Sequence, residues 1–222
     1  MIDEQNNILL LKIKDYINTY YTTKGELTFE QTNGVYIVNC DGDIRVKNSK
    51  IESLTNGLFR FGTVSGNFYC YSCGKLKSLK GAPSGVGGGF YCTSCPKLKS
   101  LEGAPKKVGR DFDCDGCKNL ETIKGAPEEV GGNFSCSYCK NLKSLEGAPE
   151  KIGGGFWCHI CESLTSLEGG PKKVGWDFCC YKCNNLKSLD GAPEEIGGKL
   201  YCHGCENLKI TNQDRKKYRI EN

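Results

Sequence analysis

The chain has 222 residues, 30 of them basic and 26 acidic, for a formal net charge of +4. That balance argues against a general affinity for nucleic acid. There is no apolar run long enough to span a membrane, and most of the 29 glycines sit at fixed points of a pattern, which excludes a collagen-like or low-complexity chain.

The start, MIDEQNNILLLKIKDY, lacks a basic leader and a small-residue cleavage site. No signal peptide is expected, and therefore a reducing, cytoplasmic location (host cytoplasm if the chain is viral). From Asp3 to about Tyr20, apolar residues recur at Ile8, Leu9, Leu10, Ile13, Ile17 and Tyr20, the spacing of an amphipathic helix. The stretches LTF, VYIV and DIRV then read as short strands. Residues 1–41 are expected to form an N-terminal cap, with Cys40 in its core.

A repeat follows. Val46, Asn48, Ile51 and Leu54 stand one period before Phe68, Cys70, Cys73 and Leu76 and form a degenerate first unit. Seven clear units come next, each 22 residues from the last. Their first cysteines are Cys70, Cys92, Cys114, Cys136, Cys158, Cys180 and Cys202. The unit reads V-G-G-x-F-x-C-x-x-C-x-x-L-x-S-L-x-G-A-P-x-x. A fixed period of this size means one supersecondary unit stacked on its copies. In F-x-C, period-two alternation marks a short strand with one buried face. G-A-P turns the chain, and V-G-G returns it. One strand per coil is expected, with successive strands parallel and about 4.8 Å apart. The repeat region spans 42–211, and the polar stretch 212–222 reads as a frayed tail or small cap.

F-x-C-x-x-C-x-x-L-x-S-L resembles the leucine-rich repeat consensus L-x-x-L-x-L-x-x-(N or C)-x-L. The Phe68 column matches the second consensus leucine, the Cys70 column the third, and the Cys73 column the Asn/Cys ladder. L-x-S-L-x-G-A-P is similar to the short repeats of bacterial effectors, and Gly- and Cys-rich variants resemble phage and large-virus proteins. Two departures stand out: glycine replaces the first leucine, and two residues rather than one follow the ladder. The resemblance covers roughly Gly66 to Thr211. It implies an α/β-type repeat solenoid, curved, with a parallel β-sheet on the concave face, turns and irregular chain on the convex side, and a helical N-terminal cap. It also implies a binding surface rather than catalysis.

The sixteen cysteines admit three readings. The favoured one is structural: both columns fall on inward positions, where a small apolar side chain must stack on its copy. Zinc held by four thiolates of adjacent coils is the second, and disulfides are the third. Cys179, between Phe178 and Cys180, falls on the outward face of its strand, a position open to an exposed thiol.

Consensus positions build the fold, so function must lie in the variable outward ones. These make three zones. Tyr69, Tyr71 and Tyr91 form an aromatic patch. Asp111, Asp113 and Asp115 form an acidic spot, read as solvated because three carboxylates on one strand converge poorly on a cation. Trp157, His159, Tyr181, Tyr201 and His203 form a second aromatic patch, with Trp176 nearby. Exposed Tyr and Trp are enriched at interfaces, though they also suit exposed strands by propensity alone. Around the turns, Lys106-Lys107, Glu128-Glu129, Glu150-Lys151, Lys172-Lys173 and Glu194-Glu195 largely alternate in sign, which helps to fix register. No G-x-S-x-G, phosphate loop or H-E-x-x-H motif is present. The expectation is a non-enzymatic module without a cofactor that binds another protein through its concave face. The alternatives are a small-ligand or zinc-binding protein and a structural component of a particle such as a virion.

Overall fold

The computed structural model describes residues 2–47 and 50–221. Helix α1 (Ile2–Tyr20) opens the chain. It buries Ile13 and Ile17 and sets the edge of Tyr16 against Phe59, with ring centres 5.9 Å apart. It thereby closes one end of the core. Strands β1 (Tyr21–Thr32) and β2 (Val35–Val46) form one long antiparallel hairpin. Its turn, Asn33-Gly34, has φ of 50° and 77°, the left-handed pair that matches the twist of the strands. VYIV and DIRV are therefore one strand and not two. Gly42, which reads as a break between them, faces Gly25 across the hairpin. A Cβ at Gly42 would lie 1.6 Å from the Lys24 carbonyl oxygen. The glycine marks a close approach of two backbones rather than an end.

Strand β2 runs through position 41, so cap and coils share a strand. It pairs in parallel with β3 (Phe59–Val64) and with Phe68–Tyr69. Here Ile44, not Val46, lies opposite Phe68. Val46 is held back by pairing with Tyr21. Ile51 and Leu54 are buried as expected, and Asn48 lies outside the described residues.

The coils form a parallel β-solenoid of about eight turns with a single N-terminal helix. Each coil contributes two short strands rather than the expected one, for example Lys107–Val108 and Phe112–Asp113. The V of V-G-G stacks in register on the next, as Val108 does on Val130, and generates the second ladder. The Phe column runs through the core as a stack. Successive rings from Phe68 to Phe178 are 5.1–5.4 Å apart and within 12° of parallel. Each ring is fully buried, worth about 1.5–3 kcal/mol apiece.

Two glycines of the unit are fixed by neighbouring coils. A Cβ on Gly131 would come 2.3 Å from the Gly109 carbonyl oxygen. Gly147 has φ +92° and meets the Lys124 backbone. The alternating charges do form ion pairs between coils: Lys106 to Glu128 at 3.2 Å, Lys107 to Glu129 at 3.0 Å, and Lys172 to Glu150 at 2.8 Å.

The C-terminal stretch is a built cap. Helix α2 (Asn212–Lys217) starts at a capping box made by Thr211 and Asp214. The strand Ile220–Glu221 then adds to Leu200–Tyr201, and the Tyr218 hydroxyl donates to the Pro193 carbonyl at 2.9 Å.

Candidate functional site

The cysteines come first, because they dominate the sequence. All sixteen are free thiols. From Cys95 onward, each second-column thiol reaches down one coil to the carbonyl of a first-column cysteine. Cys95 donates to Cys70 O at 3.2 Å, Cys117 to Cys92 O at 3.2 Å, and Cys183 to Cys158 O at 3.1 Å. The C-x-x-C spacing thus places one thiol beneath a carbonyl at the end of the ladder, where it serves as a weak donor. Burial pushes the first-column thiols Cys70, Cys92, Cys136, Cys158 and Cys180 well above the ordinary range. Among the described residues, no group of three His, Cys, Asp or Glu side chains is placed to hold a metal.

Cys179 is a correction. It is 7% exposed rather than outward and open. Trp157 is its in-register neighbour on the adjacent strand and hydrogen-bonds to it. Burial, and after it the Asp177 charge, pushes the Cys179 thiol up to about 11 against that bond. Trp157 itself is half-buried. It folds back over Gly155, so that a Cβ there would come 2.6 Å from Cη2 of the indole. Tyr91 does the same over Gly89.

The first aromatic zone does come together. Tyr69 and Tyr91 stack at 5.1 Å, and Tyr71 meets Tyr69 edge-on at 6.2 Å. Arg45, from β2, lies 4.7 Å from the Tyr69 ring centre and donates to the Tyr71 hydroxyl. Sequence reasoning missed Arg45. Its only signal is its place one strand before Tyr69, hidden by the shifted register of the first coil.

The acidic spot divides. Asp111 accepts from the Asn133 backbone N–H at 2.7 Å. Asp113 accepts from Asp115 N–H at 2.9 Å, and Asp115 accepts from the Ser137 N–H at 2.7 Å and from the Ser135 hydroxyl. Burial, followed by the nearby Asp115 charge, pushes the Asp113 carboxyl up to about 6. Asp115 is raised by burial as well.

From there a polar chain leads into the second aromatic zone. The Ser137 hydroxyl lies 2.9 Å from His159 Nδ1. His159, Tyr181 and His203 then stack at 4.3 and 4.7 Å, within 9° of parallel. Tyr138, 46% exposed, closes on His159 edge-on at 5.1 Å. Burial lowers the His159 pKa and so favours its neutral form. Ser137 is completely buried, so this Ser–His pair offers no accessible nucleophile. Neither Ser137 nor Tyr138 was legible as belonging to the site. Tyr201 lies in register with Cys179 and makes no ring contact with the stack among the described residues. Trp176, 67% exposed, lines a different cleft, with Arg110 and glycines.

No protein-family model matches the chain, and neither does any curated protein or solved structure. No helix among the described residues is long and apolar enough to cross a membrane.

Proposed function

We propose that the chain is a non-catalytic, leucine-rich-repeat-like module whose curved sheet presents the ring columns, on its concave side, to another protein. The observation that carries this is the His159–Tyr181–His203 stack. It occupies variable positions, one ring per coil, while the Phe, Cys and Leu consensus positions fill the core of the coils. A preformed stack presents a large amphipathic surface with little rotamer entropy left to lose. The Tyr69–Tyr91–Arg45 cluster offers a second anchor of the same chemistry. Sixteen free thiols suit a reducing compartment, which favours the cytoplasm.

The test is affinity capture with wild type beside Tyr181→Ala, the central ring of the stack. A partner retained by wild type and lost by Tyr181→Ala, at an unchanged melting temperature, supports the reading. Equal capture by both proteins rejects the stack as the binding surface. Tyr181 is a better probe than Trp157, whose indole covers Cys179 and Gly155 and so also contributes to the fold.

A further inference from the structure

The last position of the V-G-G turn is glycine at 66, 88, 132, 154 and 198, but Arg110 and Trp176 break the column. The reason lies one coil back. Asp43, Asn67, Asp111, Asn133 and Asp177 each reach forward with Oδ1 to a backbone N–H of the next coil, at 2.7–2.8 Å. Above each of these oxygens a Cβ would come within 2.1–2.5 Å, so Gly66, Gly88, Gly132, Gly154 and Gly198 are required. At Gly89 and Gly155 no such side chain exists, and the next coils are the ones that carry Arg110 and Trp176.

Arg110 and Trp176 therefore stand three coils apart on one column, with Gly132 and Gly154 between them. At about 4.8 Å per coil the gap is roughly 14 Å. The floor is bare but satisfied backbone: Gly132 N–H donates to Arg110 O at 2.9 Å, Gly154 to Gly132 O at 2.7 Å, and Trp176 to Gly154 O at 3.0 Å. The trough encloses about 300 Å³. Among the described residues, Trp176 makes no ring contact and Arg110 no ion pair. The one carboxylate lining the trough, Asp111, is turned to the Asn133 N–H. An adjoining cleft of about 620 Å³ runs over Val108, Val130 and Ile152. On its wall Lys107 and Lys173 are paired with Glu129 and Glu195, while Lys151 has no ion pair among the described residues.

We infer that this trough binds an extended peptide segment of a partner, with a carboxylate at the Arg110 end and an aromatic side chain about four residues away at the Trp176 end. An extended chain advances about 3.3 Å per residue, so roughly 14 Å is about four residues. The glycine floor lets another backbone lie close. The guanidinium takes a carboxylate in bidentate fashion, the indole takes a ring, and Lys151 adds positive potential. The paired Glu129 and Glu195 disfavour a polyanion such as nucleic acid. The inference rests on the binding-module reading but concerns the glycine corner, not the ring columns.

The probe is a fluorescein-labelled nonapeptide with Asp and Phe separated by three Ser/Thr residues, followed by fluorescence anisotropy. The control peptide carries Lys in place of Asp. Wild type is expected to bind the Asp peptide at least tenfold tighter than the Lys peptide. Arg110→Glu should reverse that preference, and Trp176→Ala should weaken binding of the Asp peptide at least tenfold. Both side chains are exposed, so the variants should melt with wild type. Tyr181→Ala should bind the peptide normally, which separates failure of this site from failure of the ring stack. No binding of the Asp peptide, equal binding of both peptides, an unchanged preference in Arg110→Glu, or preferential binding of a heparin oligosaccharide would each overturn the assignment.

Discussion

Between the two cysteines of every coil the chain turns through the left-handed region. Ser72, Ser94, Gly116, Tyr138, Ile160, Lys182 and Gly204 have φ of 54–69°. In all but Gly204, which has no coil after it, the turn aims the N–H at the next coil, as Ile160 N–H donates to Tyr181 O at 3.0 Å. Glycine fills this position only twice, and Ile160 is its most strained occupant because β-branched residues tolerate the region poorly. Ile160→Gly should therefore stabilise the protein by about 1 kcal/mol in urea titration; a loss would show that Ile160 packing outweighs the strain. Asp113 offers a second test at this scale. Its carboxyl is raised from 3.8 to about 6, so between those values the folded state binds more protons than the unfolded one. Stability should fall as pH rises through that window. Asp113→Asn should flatten the fall and, after discounting for its partial exposure, add on the order of 1 kcal/mol at pH 7. His159 acts in the opposite sense. Its lowered pKa withdraws stability as pH drops below its ordinary value of 6.5. Melts from pH 4 to 7 on wild type and Asp113→Asn separate the two.

The element of this molecule is the coil, and coils touch through backbone as much as through side chains. Gly131 and Gly74 make the contrast measurable. A Cβ on Gly131 would strike the Gly109 carbonyl oxygen, whereas nothing lies within 4 Å of one on Gly74. Gly131→Ala should cost about 3 kcal/mol or more, because overpacking here must push neighbouring coils away from each other. Gly74→Ala should stay within about 0.5 kcal/mol of wild type. Equal effects in chemical denaturation would refute the stacking geometry. The coil also explains what could be read beforehand. Phe, Cys and Leu columns were legible because each repeats an apolar side chain at a fixed step. The second ladder was not, because a two-residue strand such as Lys107–Val108 shows one apolar residue and no alternation. The ring column was only partly legible. Trp157, an outward residue by alternation, folds back because its own coil has glycine at 155, and that fold hides Cys179.

Over the whole molecule one apolar core runs from Ile13 in α1 to Tyr218 after α2. The thiols report on its integrity. Titration of native protein with an aromatic disulfide should label few cysteines, and denatured protein nearly all sixteen. Trp157→Ala should add one fast-reacting thiol, Cys179, while the column thiols stay silent. A native protein that labels freely would show that the coils breathe apart or that the columns face water. Of the caps, helix α1 was legible from its apolar spacing, while the long hairpin and the C-terminal helix were not. Their signals are local pairings, Gly25 with Gly42 and Thr211 with Asp214, which no repeat amplifies.

The order of residues along the first outward column carries a consequence for how such a chain changes over generations. Asp111, Asn133 and Gly155 repeat the order of Asp43, Asn67 and Gly89, and Gly89 to Gly155 and Asp111 to Asp177 are each 66 residues. A copying slip that adds a single 22-residue unit would still yield a stackable coil. A copy of the Asp111 coil would, however, set an Asp oxygen beneath an arginine, and a copy of the Gly155 coil would strand a bare N–H, whereas a copy of the Asn133 coil breaks neither contact. A slip of three units breaks nothing. Duplication of the Asp111–Asn133–Gly155 block as a whole is thus a neutral path, and a single extra coil is neutral only where it carries the Asn. Duplicating residues 111–176 would keep the original Arg–Trp pair at its spacing and add a second tryptophan twice as far from Arg110, so that a lineage could extend its ligand without altering a single contact residue.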